Sequence, residues 1–472
     1  MKKFDKDKYL KKLKFKRNLT KYGKYFYIGI PCLMITILGI YFTYSKFTVS
    51  KDAEVVKTTV GEFIQGDVVI GAYIDGEYSN TIPGKNDGYV VKSVSCDNNA
   101  TGSWDNDAWG IALTNLTKRT KCNVYFETKR TPLTEVITTA MNSNPSMFAT
   151  DDPGKNIRYI GKDPDNYVYF NCSDYNNPTA DTCELWRIIG VFNNVVKEDG
   201  SKENLVKIIR NDSLGKYSWD NKNKGVGTST ENSGSNDWSD SQLMMMLNPL
   251  NYLKSGYTNS SDIISSGSQQ LYSKMGSYYN GTKGCKPATV TSGASFSCTE
   301  VDFTTTGLKN DTTRNAIASV VWNLGGSLKC DDVTTSMFYE RERGTTVYSG
   351  HATTWTGKIG LMYPSDYGYA TSGGTTKNRA ACLAKELWNW SYSEFNDCTR
   401  NDYLYNSSLS QWTLVPYSAY SDIVFQVQAV GTVDRYYVSA TYEVQPVLFL
   451  KSNIFLNTGT GAKSDPYTLK IR

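Results

Sequence analysis

The side chains that commonly perform catalysis are sparse in this sequence. His351 is the only histidine, and the Ser-Gly-His-Ala-Thr segment that holds it has no G-x-S-x-G motif beside it. No H-E-x-x-H, P-loop or G-x-G-x-x-G motif occurs. Glu340 and Glu342 alternate with Arg341 and Arg343, a pattern that more often gives surface ion pairs than paired catalytic carboxylates. We therefore predict that His351 is a solvated loop residue and that the chain has no catalytic residues.

Aromatic side chains are the other source of chemistry, because exposed tyrosine and tryptophan favour the recognition of sugars and proteins. The chain holds 34 tyrosines and 10 tryptophans. They either form a recognition surface or reflect a genome in which tyrosine is frequent in all proteins. Asp366 stands among tyrosines in YPSDYGYA, where Pro-Ser-Asp predicts a structural turn, with a ligand site as the alternative. The binding residues that we predict are Trp355, Tyr363, Asp366, Tyr367 and Tyr369.

Metal ligands are not clustered in the sequence. Asp105 and Asp107 in SWDNDAWG are of the residue type that binds calcium, but the segment does not match the EF-hand pattern, and a turn between two core tryptophans explains it. A zinc cluster is not predicted, because no C-x-x-C pair exists and the chain has a single histidine. We predict no metal and no cofactor.

Nine cysteines follow residue 45, which favours disulfide bonds in an oxidising compartment. Sequence alone does not fix connectivity, but neighbours along the chain suggest pairs that each close a short loop. Such bridges stabilise a fold by about 2–4 kcal/mol each. Cys330 is left over as a free thiol or in a pair that we do not assign. The predicted pairs are Cys96–Cys122, Cys172–Cys183, Cys285–Cys298 and Cys382–Cys398.

An apolar run without charges, Tyr25–Tyr44, has the length of about 20 residues that a bilayer-spanning helix needs. Residues 1–24 carry eleven lysines and arginines against two aspartates, a net charge of +9, whereas the whole chain is only +5. A basic segment before a span marks the cytoplasmic side; a nucleic-acid-binding arm is the alternative. The run is too long for a cleaved signal peptide. We predict a cytoplasmic tail at 1–24, a membrane signal anchor at 25–45, an extracellular remainder and no nucleic-acid partner.

Residues 51–127 are predicted to form a small β module, an antiparallel sheet or a sandwich. TTVGEFIQ, DVVIGAYIDG and NDGYVVKSVSC mix β-branched and aromatic residues between turn segments, and WGIALTNLTKRTKCNVYFET adds two strands. The Cys96–Cys122 bridge would staple a core of this size. Residues 128–155 are rich in Asn, Ser, Thr and Pro, which predicts a linker with one short helical piece at LTEVITTAM.

The remainder, residues 156–472, is predicted to be one larger α+β domain. Strands at RYIGKDPDNYVYFN, ELWRIIGVFNNV, NLVKIIRN, QWTLVPYS and DIVFQVQAV outnumber the helices. They follow no βαβ rhythm, which argues against a doubly wound sheet.

Three helices are predicted in this domain. Ser239 with Gln242 three positions later forms a capping box before LMMML. A second helix is predicted from Asp311 to Asn323, where apolar residues recur on one face. A third covers SMFYERER and ends at Gly344.

The larger domain also carries a series of long motifs. MFYERERGTTVYSG is followed by WTGKIGLMYPSDYGYA, then by QWTLVPYS and VQPVLFLKSNIFLNTGTGAKSDPYTL. In this order they resemble the C-terminal domain of unknown function in a family of uncharacterised, membrane-anchored surface proteins of Gram-positive bacteria. The resemblance covers residues 156–472, and the pattern at 51–127 is similar to a module often found beside that domain. By fold-level analogy the layout looks like the C-type-lectin-like fold shared with formylglycine-generating enzymes, which carries no function by itself.

Two departures bear on what the resemblance implies. The family's closing strand usually has an arginine before the proline, whereas this chain has Gln445 before Pro446. If that arginine pairs with a buried carboxylate, its partner here must be neutralised or solvated. The calcium-dependent sugar motifs of true C-type lectins are absent, since WDN at 219–221 has the wrong order and QPV at 445–447 lacks an acidic partner.

The sequence thus predicts a single-pass cell-surface protein whose outer domain binds an extracellular glycan or protein partner without catalysis. The bilayer is the second predicted partner, through residues 25–45. One alternative is a cell-envelope enzyme distantly related to the formylglycine-generating group, with Cys382 and Cys398 as a reactive pair. Another is a structural surface scaffold in which the module at 51–127 only spaces the outer domain from the wall.

Overall fold

The chain forms two compact units, Met1–Lys129 and Arg130–Arg472. Strands and helices are mixed in the α+β manner that the sequence predicts. The predicted membrane span at 25–45 lies outside the described residues, and no helix within them is long and apolar enough to cross a bilayer. The computed structural model describes residues 68–116, 118–220, 234–249, 276–286 and 299–471, with smaller pieces at 7, 10–14, 16 and 56–58.

Two sheets make up the described part of the first unit. Their strands are β1 Val56–Thr58, β2 Val68–Ile74, β3 Glu77–Ser79, β4 Tyr89–Cys96, β5 Thr101–Asp105, β6 Gly110–Thr114 and β7 Thr120–Thr128. One sheet has the order β3-β2-β7-β4 and the other β1-β6-β5. Most neighbours are antiparallel, but β2 runs parallel to β7, and β1 to β6. The predicted purely antiparallel module is wrong in this respect, because the chain between β2 and β7 crosses through the second sheet before it returns.

The core of the first unit lies on one face of the four-stranded sheet. Along β7, Cys122, Val124 and Phe126 are buried while the residues between them are only half-buried, which is the two-residue period of a strand. Trp104 packs edge-on against Phe126, with ring centroids 5.3 Å apart. Cys96 pairs with Cys122 across the two strands and forms the predicted disulfide.

The loop after β5 is a turn, as the sequence predicts. Asp105 Oδ1 accepts hydrogen bonds from the backbone N–H groups of Asp107 and Ala108, at 2.9 Å each. Trp109 Nε1 donates to the carbonyl oxygen of Pro83 at 2.7 Å. Within the part of the chain that the structure describes, no three Asp, Glu, His or Cys side chains are grouped so as to hold a metal ion.

The second unit begins with helix α1, Leu133–Ser143, which confirms the predicted helical piece LTEVITTAM. The rest of the prediction for 128–155 needs correction, since from Arg130 onward this segment belongs to the second unit and not to a linker. Leu133 and Ile137, one helical turn apart on the same face, are both buried in the core of that unit.

Two large sheets organise the second unit. Its described strands are β8 Phe148–Ala149, β9 Ile157–Tyr159, β10 Tyr167–Phe170, β11 Glu184–Val196, β12 Lys202–Arg210, β13 Lys216–Ser218, β14 Lys283–Lys286, β15 Thr299–Asp302, β16 Val320–Asn323, β17 Thr354–Gly357, β18 Ile359–Gly360, β19 Gln411–Pro416, β20 Ile423–Val427, β21 Val433–Tyr437, β22 Thr441–Glu443, β23 Val447–Phe449, β24 Phe455–Thr458 and β25 Thr468–Lys470. The larger sheet has the order β18-β23-β12-β11-β9-β8, with β10 beside β11. The second has the order β13-β22-β19-β20-β21, so β21 is an edge strand.

The long hairpin β11–β12 forms the centre of the larger sheet. Both strands have runs of six or more consecutive buried residues, so they are covered on both faces. Smaller pairs, β14–β15, β16–β17 and β24–β25, complete the described strands.

The helices after α1 are short. They are α2 Gln242–Leu247, α3 Ser277–Asn280, α4 Asp311–Ala316, α5 Thr335–Glu342, α6 Pro364–Ala370, α7 Arg379–Ala384 and α8 Asn396–Arg400. Helix α5 confirms the prediction for SMFYERER. Helix α2 is present, but its cap is Ser241, whose Oγ accepts from Met244 N–H at 3.2 Å. The predicted cap, Ser239, lies in the preceding 3₁₀ turn, where its hydroxyl donates to Asp237.

The helix predicted from Asp311 to Asn323 is wrong in its second half. Helix α4 ends at Ala316, and Val320–Asn323 is strand β16, paired with β17. The apolar residues of VVWN fit either period over so short a run. The segment is a strand because it pairs with β17, and β-branched valines favour that conformation.

Candidate functional site

The five predicted binding residues all lie in the interior of the second unit. Tyr363, Asp366, Tyr367 and Tyr369 belong to α6 or its N-cap, and Trp355 lies in β17. Each has at most 5% of its surface exposed. The structure therefore brings four of the five together, in the core and not on an open surface.

The segment YPSDYGYA forms helix α6, where the sequence predicts a turn. Pro364 occupies the first helical position, where a missing N–H is tolerated. Asp366 Oδ2 accepts from Tyr363 N–H at 3.0 Å and so satisfies a donor at the helix start. Gly368 lets the helix approach α5 closely, since a Cβ there would lie 2.3 Å from Thr335 Oγ1. These contacts fix a fully buried helix.

Asp366 is the centre of a buried ion cluster, which consists of Asp152, Arg158, Lys207 and Asp366. Arg158 Nη1 lies 2.9 Å from Asp366 Oδ1, and Arg158 Nε lies 2.5 Å from Asp152 Oδ2. Lys207 Nζ contacts the second oxygen of Asp366. All four side chains are almost completely buried.

The two cations of the cluster keep Asp366 ionised. Burial by itself would raise the pKa of Asp366, but the Lys207 ammonium and the Arg158 guanidinium lower that pKa to about 2. The rings of Phe192 and Tyr369 cover the guanidinium, with centroids at 4.6 and 5.2 Å. Because the charges are paired and enclosed, we assign the buried ion cluster to joining strands β9 and β12 with helix α6.

A second buried carboxylate belongs to Glu342, the last residue of α5, whose side chain contacts Ser365 in the first turn of α6. Its Oε1 accepts from Ser365 N–H at 2.9 Å, and its Oε2 lies 3.1 Å from Arg343 Nη1. Burial raises the pKa of Glu342 to about 7, although Arg343 and Ser365 oppose this shift. Glu342 therefore titrates near neutral pH.

Gln445, which stands where the resemblance implies an arginine, binds the main chain. Its Nε2 donates to the carbonyl oxygens of Arg210 and Asn211 at 3.1 and 2.9 Å. Arg210, the last residue of β12, forms an ion pair of its own: its Nε lies 3.0 Å from the Glu184 carboxylate. Gln445 thus holds the end of β12 through two backbone carbonyl groups.

Three of the predicted disulfides lie within the described residues and are formed: Cys96–Cys122, Cys172–Cys183 and Cys382–Cys398. The predicted partner of Cys285, Cys298, lies outside them. Cys382 and Cys398 are both fully buried. A buried pair of this kind fits a structural bridge better than a reactive pair in a substrate groove.

Cys330 is a free, buried thiol. Its Sγ lies 3.7 Å from Asp434 Oδ1 and 3.9 Å from the carbonyl oxygen of Val433. Burial and the Asp434 carboxylate raise the pKa of Cys330 to about 12. The thiol is therefore protonated at neutral pH, and its nucleophilicity is low.

His351 is half-buried and hydrogen-bonded, so the prediction of a solvated loop histidine is wrong. Its Nδ1 lies 2.8 Å from Asn236 Oδ1. The imidazole centroid is 5.3 Å from that of Tyr348. His351 thus links its loop to another part of the unit.

The exposed side chains form a different candidate site from the one that the sequence predicts. We call it the tyrosine surface and define it as Tyr417, Tyr420, Arg435 and Tyr437. Tyr420 and Tyr437 are 56% and 54% exposed. The Tyr417 and Tyr420 rings stack with centroids 6.0 Å apart and planes 17° from parallel. The Arg435 guanidinium lies over the Tyr417 ring at 4.7 Å.

Strand register explains why these residues share one face. Tyr417 N–H donates to the carbonyl oxygen of Ile423 at 2.9 Å, and Ile423 is in turn opposite Tyr437 on the edge strand β21. Arg435 is two residues before Tyr437 and so points to the same side. The tyrosine surface therefore combines the β19–β20 turn with the outer side of β21.

A pocket of about 520 Å³ in the second unit is another candidate site. Leu205 and Ala318 form its apolar part, and Lys197 and Glu203 form an ion pair at 2.5 Å within it. No aromatic side chain lines this pocket, so it offers no surface on which a ring could stack. The tyrosine surface has the better-defined recognition chemistry.

The sequence did hold a signal for the tyrosine surface. YSAY overlaps the end of the predicted strand QWTLVPYS and directly follows the observed strand β19, and tyrosines in a turn after a strand lie where the chain meets solvent. RYY falls at the end of an edge strand, which only the sheet order shows. The aromatic argument from the sequence selects the tyrosines of α6 instead, whose burial follows from the tertiary fold.

No protein-family model, curated protein or solved structure matches this chain.

Proposed function

We propose that this chain is a single-pass cell-surface protein whose second unit, a C-type-lectin-like domain, binds an extracellular glycan through the tyrosine surface without catalysis. Residues 25–45 would anchor it in the membrane, with residues 1–24 in the cytoplasm. The apolar run and its lysine-rich leader support this orientation. The disulfides support an oxidising location for the rest.

The exposed ring of Tyr420, stacked on the half-buried ring of Tyr417, carries the glycan proposal. A tyrosine ring offers an apolar face to the C–H groups of a pyranose and a hydroxyl group to the oxygens of that sugar. This suits a ligand that has both an apolar face and polar groups. Arg435, held over Tyr417, adds N–H donors beside the rings. Rings held by stacking and by strand register lose little freedom on binding, which favours affinity.

A glycan fits this surface better than a protein partner does. Stable protein interfaces bury about 1,200–2,000 Å² around a desolvated apolar centre. Elsewhere in the described part of the second unit, the exposed large aliphatic side chains are Leu328 and Val430, and the other exposed large hydrophobic side chains are tyrosines, Tyr348, Tyr392 and Tyr436. Tyrosine rings with an arginine are a smaller and more polar patch, as a short oligosaccharide requires.

The test is binding of the full chain, purified in detergent with its disulfides oxidised, to an array of neutral oligosaccharides that includes chitohexaose and cellohexaose. Tyr420→Ala should weaken binding about tenfold, because a stacking platform is removed. Tyr78→Ala is the matched control, since Tyr78 is 62% exposed but belongs to the first unit. Equal affinity of wild type and Tyr420→Ala, or turnover of any array glycan, would contradict the proposal.

A further inference from the structure

The β19–β20 turn is held from inside by one amide side chain. Asn236 is 2% exposed, and its Nδ2 donates to the carbonyl oxygens of Tyr420 and Ile423 at 2.8 and 2.7 Å, and more weakly to that of Tyr417 at 3.3 Å. Its backbone N–H donates to the carbonyl oxygen of Ser421 at 2.7 Å. A single residue thus reaches four carbonyl groups of the turn that displays Tyr420.

The other end of the same amide meets the only histidine of the chain. Because Nδ2 faces the carbonyls, the oxygen Oδ1 faces His351, 2.8 Å from Nδ1. Two acceptors cannot share that contact, so Nδ1 of His351 carries the proton. The imidazole is therefore a donor that fixes the amide in the orientation needed to hold the turn.

A second contact ties the histidine loop to the same turn. Ser418 Oγ donates to the carbonyl oxygen of Thr346 at 3.0 Å. Tyr348, between Thr346 and His351, packs its ring near the imidazole. The loop at 346–351 and the turn at 417–423 are thus connected at two points.

We propose that Asn236 and His351 are positioning residues for the tyrosine surface. They hold the turn so that Tyr420 stays stacked on Tyr417 before the ligand arrives. This inference rests on the proposed glycan function for its binding readout, but the geometry it describes is present without any ligand. Preformed turns bind more tightly because the ordering cost is already met in the free protein.

Hydrogen exchange of the full chain without ligand tests the positioning role directly. His351→Ala should speed exchange of the amides in residues 417–423, while exchange in β11 and β12 stays as in wild type. His351→Asn should restore wild-type exchange, because the asparagine amide can donate from about the position of Nδ1. Ser349→Ala, an exposed change in the same loop, is the control and should alter neither segment.

Binding to chitohexaose and cellohexaose gives the second readout. His351→Ala should weaken binding about five- to tenfold, the range expected when one hydrogen bond between neutral groups is lost and the turn is less ordered. His351→Asn should bind like wild type. Since Asn236 is buried, Asn236→Asp serves as a second variant that keeps the acceptor for His351 and removes the donors to the turn; it should also weaken binding.

The two readouts separate failure of this inference from failure of the proposed function. Unchanged exchange of residues 417–423 in both His351→Ala and Asn236→Asp would overturn the positioning role. Faster exchange together with no binding by wild type would support the positioning role and overturn glycan recognition.

Discussion

At the scale of single residues, burial separates the side chains that stabilise this protein from those that face its surroundings. Asp366 and Tyr420 both stand in tyrosine-rich segments, yet one is enclosed by two cations and the other is mostly exposed. Residue type alone did not distinguish them. Asp366 pairs with Arg158 and Lys207, which are 208 and 159 residues away in the chain. No local sequence pattern predicts partners at that distance.

Glu342 predicts a pH dependence of stability. Its pKa is raised from 4.5 to about 7, so the folded protein binds this proton more tightly than the unfolded chain does. The free energy of unfolding should therefore fall as the pH rises from 4.5 to 7, by about 3 kcal/mol from this group. Urea unfolding at several pH values measures the slope.

The matched variant for this effect is Glu342→Gln, which keeps the side-chain shape and cannot ionise. Burial also raises the pKa of Asp402, so part of the slope has the same sign and stays in the variant. The difference between wild type and variant isolates Glu342. An identical slope in the two proteins would show that Glu342 does not titrate in this range.

At the scale of elements, short helices are placed by what they pack against. Helix α1 has one apolar face, which the sequence shows, but its membership of the second unit depends on contacts with distant strands. Leu133 N–H donates to the carbonyl oxygen of Ile454 at 3.0 Å, across more than 300 residues of chain. The prediction of a linker at 128–155 is wrong from Arg130 onward, because a polar composition does not show which segments make tertiary contacts.

Ile137→Ala should destabilise the second unit by about 2–4 kcal/mol, since Ile137 is completely buried and its removal leaves a cavity. Thr139→Ala, an exposed change on the same helix, should be neutral or slightly stabilising. Urea unfolding followed by tryptophan fluorescence measures both. Equal stabilities of the two variants would indicate that α1 does not contribute to the core.

The strands were easier to predict than the helices. Most of the apolar segments that we predict to be strands are strands in the structure. For example, ELWRIIGVFNNV lies in β11, and QWTLVPYS contains β19. The errors fell where a segment was short enough to fit two periods, as in VVWN, or where strand direction depended on a crossover, as between β2 and β7. Sheet order, which creates the tyrosine surface, is a property of long-range pairing and was not available from local pattern.

At the scale of the whole molecule, charge and covalent bridges divide the chain. The lysines concentrate before residue 25, and the formed disulfides lie beyond residue 95. Each bridge closes a loop within one unit, so neither unit needs the other for its cross-links. This pattern is the one expected of two units with separate cross-links.

The proposed orientation predicts the outcome of protease treatment. Trypsin added to intact cells that express the protein should remove the portion beyond residue 46, whereas an epitope tag at the N-terminus should survive. Permeabilised cells, in which the tag is also lost, are the control. Protection of the outer portion on intact cells would contradict a cell-surface location.

The enclosed thiol of Cys330 has a consequence for how the bridges persist. Exchange between disulfides begins with attack by a thiolate, and Cys330 is protonated at neutral pH and shielded by Val433 and Asp434. Before folding, the same thiol could compete for any of the paired cysteines. In the folded unit, Cys330 is enclosed by β21 and protonated, so this thiol does not start exchange with the three bridges that the structure shows.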